Sequence, residues 1–273
     1  MAPTTEPPKT KFCVVSFPDP GIMLVRLNRP KALNCISSEG NAELHKVWEY
    51  LDREETLNVG IITGTGRAFC AGADLKEWNN ANSSNETRPM PGSGFGGLSR
   101  RSGLKPVIAA VNGICFGGGC EMITNCDLVI ASQSATFALP EVKRGVVAIA
   151  GALPRVVRTI GRPRAMEMAL TGRTVPADEA ERWGLVNAVV PGGEKEVVAK
   201  AVEYAKMIAE NSPDAVIVSR EGIKMGWEGV GAEEGARLLI EQWYPRLLRG
   251  ENIKEGVKAF VEKRKPRWKA AKL

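Results

Sequence analysis

Twice in this chain a short run of β-branched and small apolar residues leads into a glycine-rich turn and then into the start of a helix. In the first unit the apolar run at 59–63 is followed by Gly64, Gly66 and Gly72, and Asp74 opens a helix through Trp78. In the second, the run at 106–111 is followed by Gly113, Gly117, Gly118 and Gly119, and the helix carries Glu121, Met122 and Asn125. Strand alternating with helix makes this an α/β chain. Backbone N–H groups at a helix start have no intrahelical partner, so each turn can offer donors to a developing anion.

The rest of the chain is consistent with one substantial core. Its 273 residues are 44% hydrophobic, which implies one main domain with an appendage. No apolar run approaches the about 18 residues that cross a bilayer, and the Pro/Thr-rich residues 1–10 lack the apolar core of a secretory signal; a soluble intracellular protein is expected. The six cysteines form no C-x-x-C pair and read as reduced core or turn residues. His45 is the only histidine and reads as an ordinary helix residue, so a His-based metal site or a Ser-His-Asp triad has little to draw on. The formal charge of +6 is densest at 263–269. That run is a solvated tail, a contact for a phosphate-bearing small ligand or a nucleic-acid patch; an aromatic content of 6% gives little for base stacking and favours the small ligand.

In chain order, apolar runs at 12–17 and 22–27 around the turn-rich Pro18-Asp19-Pro20-Gly21 predict a hairpin, and Leu44, Val47, Trp48 and Leu51 predict a helix over 39–51. Residues 79–103 are Gly/Ser-rich and without apolar periodicity, either disordered or a mobile lid. Short strands are expected at 127–130 and 136–139, with an apolar segment at 145–151 after Pro140-Glu141. Helical periodicity then covers 162–170, 177–183, 194–210, 233–246 and 253–264. In the last of these Ile253, Val257, Phe260 and Val261 form one stripe, suited to core or subunit contact.

The second glycine turn carries the sharpest chemical hypothesis. Gly117-Gly118-Gly119-Cys120-Glu121 sets a carboxylate within about one turn of exposed backbone donors, and successive glycines allow a ligand close to the main chain. Glu121 by itself also fits a plain helix-dipole role. A second carboxyl, Glu141, sits between apolar neighbours, where an acid tends to keep its proton, whereas helix-end N–H groups would favour the ionised form of Glu121. A dinucleotide fingerprint is poorly matched: Gly64-Thr65-Gly66 follows a strand, but Phe69 stands at the third glycine position, and no G-K-[ST] is present.

These residues resemble the enoyl-CoA hydratase/isomerase (crotonase) superfamily, over residues 11–273. Residues 105–113 with Gly117-Gly118-Gly119-Cys120-Glu121 and Cys126-Asp127 are similar to its signature. Ala71-Gly72-Ala73-Asp74-Leu75-Lys76 is similar to its other oxyanion-hole segment, Arg29-Pro30-Lys31-Ala32-Leu33-Asn34 to its early coenzyme A turn, and Ala259-Phe260-Val261-Glu262-Lys263-Arg264 to its C-terminal helix. The resemblance implies a spiral of repeated β-β-α units over 11–195, a flexible 1–10, and a helical region at 196–273 that makes trimers or dimers of trimers. It implies that the Ala73 and Gly118 N–H groups bind the thioester oxygen. Glu121 would activate water for attack at C3, and Glu141 would deliver a proton to C2.

Coenzyme A contacts would come from Lys31, Ala32, Leu33, Ala71, Asp74, Leu75 and Lys76, with Phe260 and Lys263 available from a neighbouring subunit; exposed lysines without a role are the alternative for the cations. No metal or separate cofactor is implied, because coenzyme A is part of the substrate, and neither nucleic acid nor membrane is an expected partner. Glutamate at both positions favours an enoyl-CoA hydratase over single-glutamate isomerases, His/Asp dehalogenases, Tyr/Asp ring-forming synthases and a non-catalytic RNA-binding relative, with an isomerase or a carnitinyl-CoA-type dehydratase as the alternative. Residues 142–155 depart from the common hydratase pattern, which points to an unusual acyl group, a carnitinyl-type or other branched substrate, or another reaction on the same enolate. Ala271-Lys272-Leu273 is a close variant of the peroxisomal Ser-Lys-Leu address, so a peroxisomal location and import receptor are expected if the source is eukaryotic, and a cytoplasmic one otherwise.

Overall fold

The computed structural model describes residues 3–75, 77–78 and 90–273. The hairpin forms from β1 (Cys13–Asp19) and β2 (Ile22–Leu27), paired antiparallel with Val15 opposite Val25. Helix α1 (Ser38–Arg53) starts at Ser37, whose side chain accepts the Gly40 N–H, and buries Leu44, Val47, Trp48 and Leu51 along one face.

The glycine units each hide a strand that the sequence reading left inside the turn. β3 (Val59–Gly64) is followed by β4 (Ala68–Cys70), β5 (Val107–Val111) by β6 (Ile114–Phe116), and β7 (Leu128–Ser132) by β8 (Thr136–Ala138). The long strands join one six-stranded sheet in the order β1-β2-β3-β5-β7-β10, and the short ones join a second in the order β4-β6-β8-β9, with β9 at Val175–Pro176 and β10 at Ala188–Val190. Each of these three strand pairs therefore steps from the large sheet to the small one, which is a spiral of β-β-α turns. Asparagines brace the steps: Asn112 accepts the Gly64 N–H and donates to Gly66 O, while Asn34 donates to Ala68 O.

Period-two alternation divides the large sheet between two cores. Ile22, Leu24, Ile61, Ile108 and Ala110 pack on Val197, Val198, Ala201 and Ala205. Met23, Val25, Ile62 and Ala109 face Leu44, Trp48 and the small sheet. Fully burying each such aliphatic side chain contributes about 1.5–3 kcal/mol, so the sheet is fixed from both sides.

Between β6 and β7 comes the short α2 (Gly118–Ile123), and after β8 a tight 3-10 turn (Pro140–Arg144) leads to α3 (Ala152–Ile160), α4 (Arg162–Thr171) and α5 (Ala177–Trp183). α6 (Glu194–Ala209) covers the large sheet; α7 (Pro213–Trp227), α8 (Ala232–Leu238), a wide π turn at Leu239–Trp243, α9 (Tyr244–Arg249) and α10 (Glu251–Val261) make the C-terminal region. Helices α3 and α7 were not anticipated. α3 follows the 145–151 run without a break in apolarity, and α7 carries Gly222 and Gly226 inside it.

Two expectations need correction. Residues 90–103 are neither disordered nor a lid: Phe95, Leu98 and Ser99 are buried, Trp48 Nε1 donates to Gly96 O at 3.0 Å, and Gly96 N donates to Asn41 Oδ1 at 2.7 Å. Residues 79–89 of that stretch lie outside the described residues. The N-terminus is pinned from Thr4 onward, because the backbone N–H groups of Thr4 and Thr5 and both hydroxyls donate to the Glu54 carboxylate. The six cysteines are free thiols. Of the expected stripe on α10, Val257, Phe260 and Val261 are exposed and Ile253 is half-buried, so in this chain alone the stripe is not core.

Candidate active site

The two glycine turns meet. A Cβ built on Gly72 would stand 3.3 Å from the Gly118 nitrogen and 3.7 Å from the Gly117 Cα. The first turn is held by the coenzyme-type loop: Ala71 N donates to Leu33 O, Ile36 N to Gly72 O, and Asp74 N to Ile36 O, all at 3.0–3.1 Å. That lattice leaves the Ala73 N–H outside it. Gly117 takes φ +54°, ψ −121°, a conformation that turns the chain sharply from β6 into α2 and that favours glycine. Gly118 is then the first residue of α2, and its N–H, like that of Ala73, donates no hydrogen bond among the described residues. Two free donors in one concavity can stabilise a developing oxyanion.

Phe95 closes the floor of this concavity, its ring lying 2.5 Å from where a Gly118 Cβ would be, and the same construction on Gly119 meets the Cys70 carbonyl at 2.3 Å. Gly118 and Gly119 are thus glycine because ring and strand occupy the space a side chain would need.

Glu121 and Glu141 approach this pocket from different elements. Glu121 lies on α2 and is 5% exposed; its Oε2 accepts the Ala152 N–H at 3.1 Å, at the start of α3. Burial pushes its carboxyl up to about 7, opposed by the Ala152 N–H and reinforced by the charge of Glu141. The donors to Glu121 therefore come from α3, not from its own glycine turn, and they do not offset the loss of solvation. The expected contrast between an ionised Glu121 and a protonated Glu141 is replaced by two carboxyls that are both raised. Glu141 sits on the Pro140–Arg144 turn with Oε1 3.2 Å from a Gly117 Cβ position. Burial raises it, while its own backbone N–H and Arg144 lower it, and its buried Oε2 has no hydrogen-bond partner among the described residues. A buried carboxyl oxygen left without a partner can take up a water or a substrate proton.

The coenzyme A candidates divide. Lys31 and Ala32 lie in the Pro30–Ala32 turn, and Leu33, with φ 51°, ties that turn to Ala71. Asp74 is held by Arg29 Nη2 at 2.9 Å, and Leu75 is 51% exposed. Lys76 lies outside the described residues. Phe260, 85% exposed, and Lys263 lie at the end of α10, where the Lys263 N–H donates to Phe260 O, and no described contact ties either to the glutamates. Sequence reasoning missed Phe95, Ala152, Arg29 and Arg155. The aromatic in the Gly/Ser-rich stretch was the one available signal, since the others act through placement.

The description of the family model that matches residues 19–271 is enoyl-CoA hydratase/isomerase. The chain belongs to that family. It is 54% identical over 266 residues to the mevalonyl-coenzyme A hydratase of Aspergillus fumigatus, covering 97% of this chain and 98% of the relative. It is 50% identical over 281 residues to the mevalonyl-coenzyme A hydratase of Beauveria bassiana, covering 100% of both. The crystal structure of an enoyl-CoA hydratase from Mycobacterium tuberculosis superposes with a TM-score of 0.86 at 34% identity, covering 95% of this chain and 99% of that one. The fold is the crotonase fold and the chain is a hydratase of acyl-CoA thioesters.

Proposed function

We propose that this hydratase interconverts mevalonyl-CoA and its dehydration product, 5-hydroxy-3-methylpent-2-enoyl-CoA. The carrying observation is the identity of 54% and 50% with two mevalonyl-coenzyme A hydratases over nearly their whole lengths. The departure at residues 142–155 supports a branched acyl group, because Glu141 and Ala152 both lie in that neighbourhood.

In hydration, the Ala73 and Gly118 N–H groups hold the thioester oxygen while negative charge moves onto it. Ionised Glu121 takes a proton from water as its oxygen bonds to C3. Protonated Glu141 gives its proton to C2. In dehydration Glu141 removes the C2 proton, and the Glu121 proton leaves with the C3 hydroxyl as water. A group with its pKa near the working pH serves in either direction, which suits Glu121 at about 7. Lys31 and Lys76 bind coenzyme A phosphates, Phe260 and Lys263 reach a neighbouring subunit's coenzyme A in a trimer or dimer of trimers, and in a eukaryotic source Ala271-Lys272-Leu273 directs import into peroxisomes.

The test is the change in enone absorbance with 5-hydroxy-3-methylpent-2-enoyl-CoA beside crotonyl-CoA. The expected result is a kcat/KM at least about tenfold higher for the branched substrate. A preference for crotonyl-CoA would remove the mevalonyl assignment and leave the hydratase standing.

A further inference from the structure

Arg155 touches no site for substrate, yet four groups from three elements converge on it. Its Nε donates to Asn125 Oδ1 at 3.1 Å and its Nη1 donates to Gly151 O at 3.1 Å. Its guanidinium lies 5.6 Å from the Trp227 ring centre, and Nη2 is 3.8 Å from Glu228 Oε1. Asn125 stands one turn beyond Glu121, just past α2, and its own amide is spent on Leu98 O and Arg101 O. Gly151 is the residue immediately before the Ala152 N–H that reaches Glu121. On the other side of Gly151, Ala150 O accepts from Ser99 Oγ at 2.8 Å. The backbone that meets Glu121 is therefore clamped at each flank.

We propose that Arg155 is a positioning residue for the hydration reaction: its planar fork locks the Ala150–Ala152 backbone to the end of the helix that carries Glu121. The fork shape matters, because two divergent acceptors, a side-chain carbonyl and a main-chain carbonyl, must be held at once, and an ammonium cannot satisfy both with fixed geometry. Trp227 and Glu228 back the guanidinium from the C-terminal region, and Arg158 donates to Trp227 O, so the end of α7 supports the clamp. Loosening the clamp withdraws the Ala152 N–H from Glu121, which favours its protonated form and removes the base needed for water. The charged groups around this cradle are Glu141, on the Pro140–Arg144 turn, and Arg100, whose stem lies 3.1 Å from a Gly151 Cβ position, with Arg158 and Glu228 behind Arg155. The inference rests on the proposed role of Glu121.

The experiment measures pH profiles of crotonyl-CoA hydration for the wild type, Arg155→Met, Arg155→Gln, Arg155→Lys, Glu228→Gln and Glu121→Gln. For Arg155→Met and Arg155→Gln, kcat at pH 7 falls roughly tenfold or more, KM changes less than about twofold, and the acid limb moves to higher pH by about half a unit. Arg155→Lys shows the same displacement with a smaller fall in kcat, and Glu228→Gln, which removes only the charge behind the guanidinium, moves the limb in the same direction by less. A folded Arg155 variant with the wild-type acid limb, or a loss confined to KM, overturns the proposal. Should Arg155→Met not fold, Arg155→Lys still reads the limb, and an unmoved limb there overturns it equally. An active Glu121→Gln would instead defeat the role of Glu121 on which the proposal depends.

Discussion

The two walls of the pocket hold the same functional group in opposite ways. On one wall Glu121 is almost fully buried, on a helix, with an N–H from α3 on one oxygen. On the other, Glu141 rides a five-residue 3-10 turn with exposed Val142, Lys143 and Arg144 beside it and one oxygen unpartnered. Burial raises both, but Glu121 Oε2 is held by the Ala152 N–H whereas Glu141 Oε2 is buried without a hydrogen-bond partner among the described residues. The contrast separates a carboxyl fixed against one reacting atom from one whose partner arrives with the substrate.

Glutamine on either wall breaks the contrast most severely. Glu121→Gln and Glu141→Gln should each lower the rate of crotonyl-CoA hydration about 10²–10⁴-fold, because each deletes a proton transfer. The walls are told apart by exchange of the C2 hydrogen of 3-hydroxybutyryl-CoA with deuterated solvent, followed by NMR. Exchange persists in Glu121→Gln and disappears in Glu141→Gln; the opposite pattern would swap their roles.

Next in size is the floor between the walls. Gly118→Ala places a methyl 2.5 Å from the Phe95 ring, so the ring or the Gly118 N–H must move. Losing one oxyanion donor costs about 3 kcal/mol of barrier, roughly 10²-fold in kcat. Phe95→Leu in the same chain should recover part of that loss by opening room for the methyl. No recovery would place the damage in the backbone rather than at the ring.

The burial of Glu121 also has a cost in stability that depends on pH. Its folded pKa of about 7 lies above the ordinary glutamate value of 4.5, so the folded protein holds the proton more tightly than the unfolded chain does. Stability is full below the unfolded value and declines as pH rises from 4.5 to about 7, by about 3 kcal/mol. Glu121→Gln removes this dependence. Its Tm should exceed that of the wild type at pH 8 by more than it does at pH 5, measured by thermal unfolding. A difference that is the same at both pH values would show that burial does not raise this group.

Much of this arrangement was legible in the residues and the illegible parts share a physical origin. The hairpin, α1, α5 and α6 announce themselves because apolar spacing and turn chemistry agree locally. Glu121 and the glycine turn were legible because three successive glycines followed by a carboxylate are chemically unusual. β4 and β6 were not, being three residues each and embedded in glycines whose conformation is set by the neighbouring turn. The donor to Glu121 was equally hidden: any residue supplies an N–H, and only the packing of α3 makes Ala152 the one that arrives. Residues 90–103 read as unstructured because their burial comes from long-range partners, Asn41, Trp48 and Ala150, and not from periodicity.

Ser99 offers the finest test of how firmly the Glu121 wall is built. Its Oγ accepts the Phe95 N–H and donates to Ala150 O, both at 2.8 Å, and the residue is 0% exposed. It therefore links the floor of the pocket to the backbone that meets Glu121. Ser99→Ala leaves a buried N–H and a buried carbonyl without this partner, which should cost about 1–3 kcal/mol in urea unfolding. If the linkage also fixes the wall, kcat falls a few-fold while Glu141-dependent exchange at C2 is unchanged. Equal loss of hydration and exchange would mean that Ser99 supports the whole pocket, and the two walls would then be one mechanical unit despite their different electrostatics.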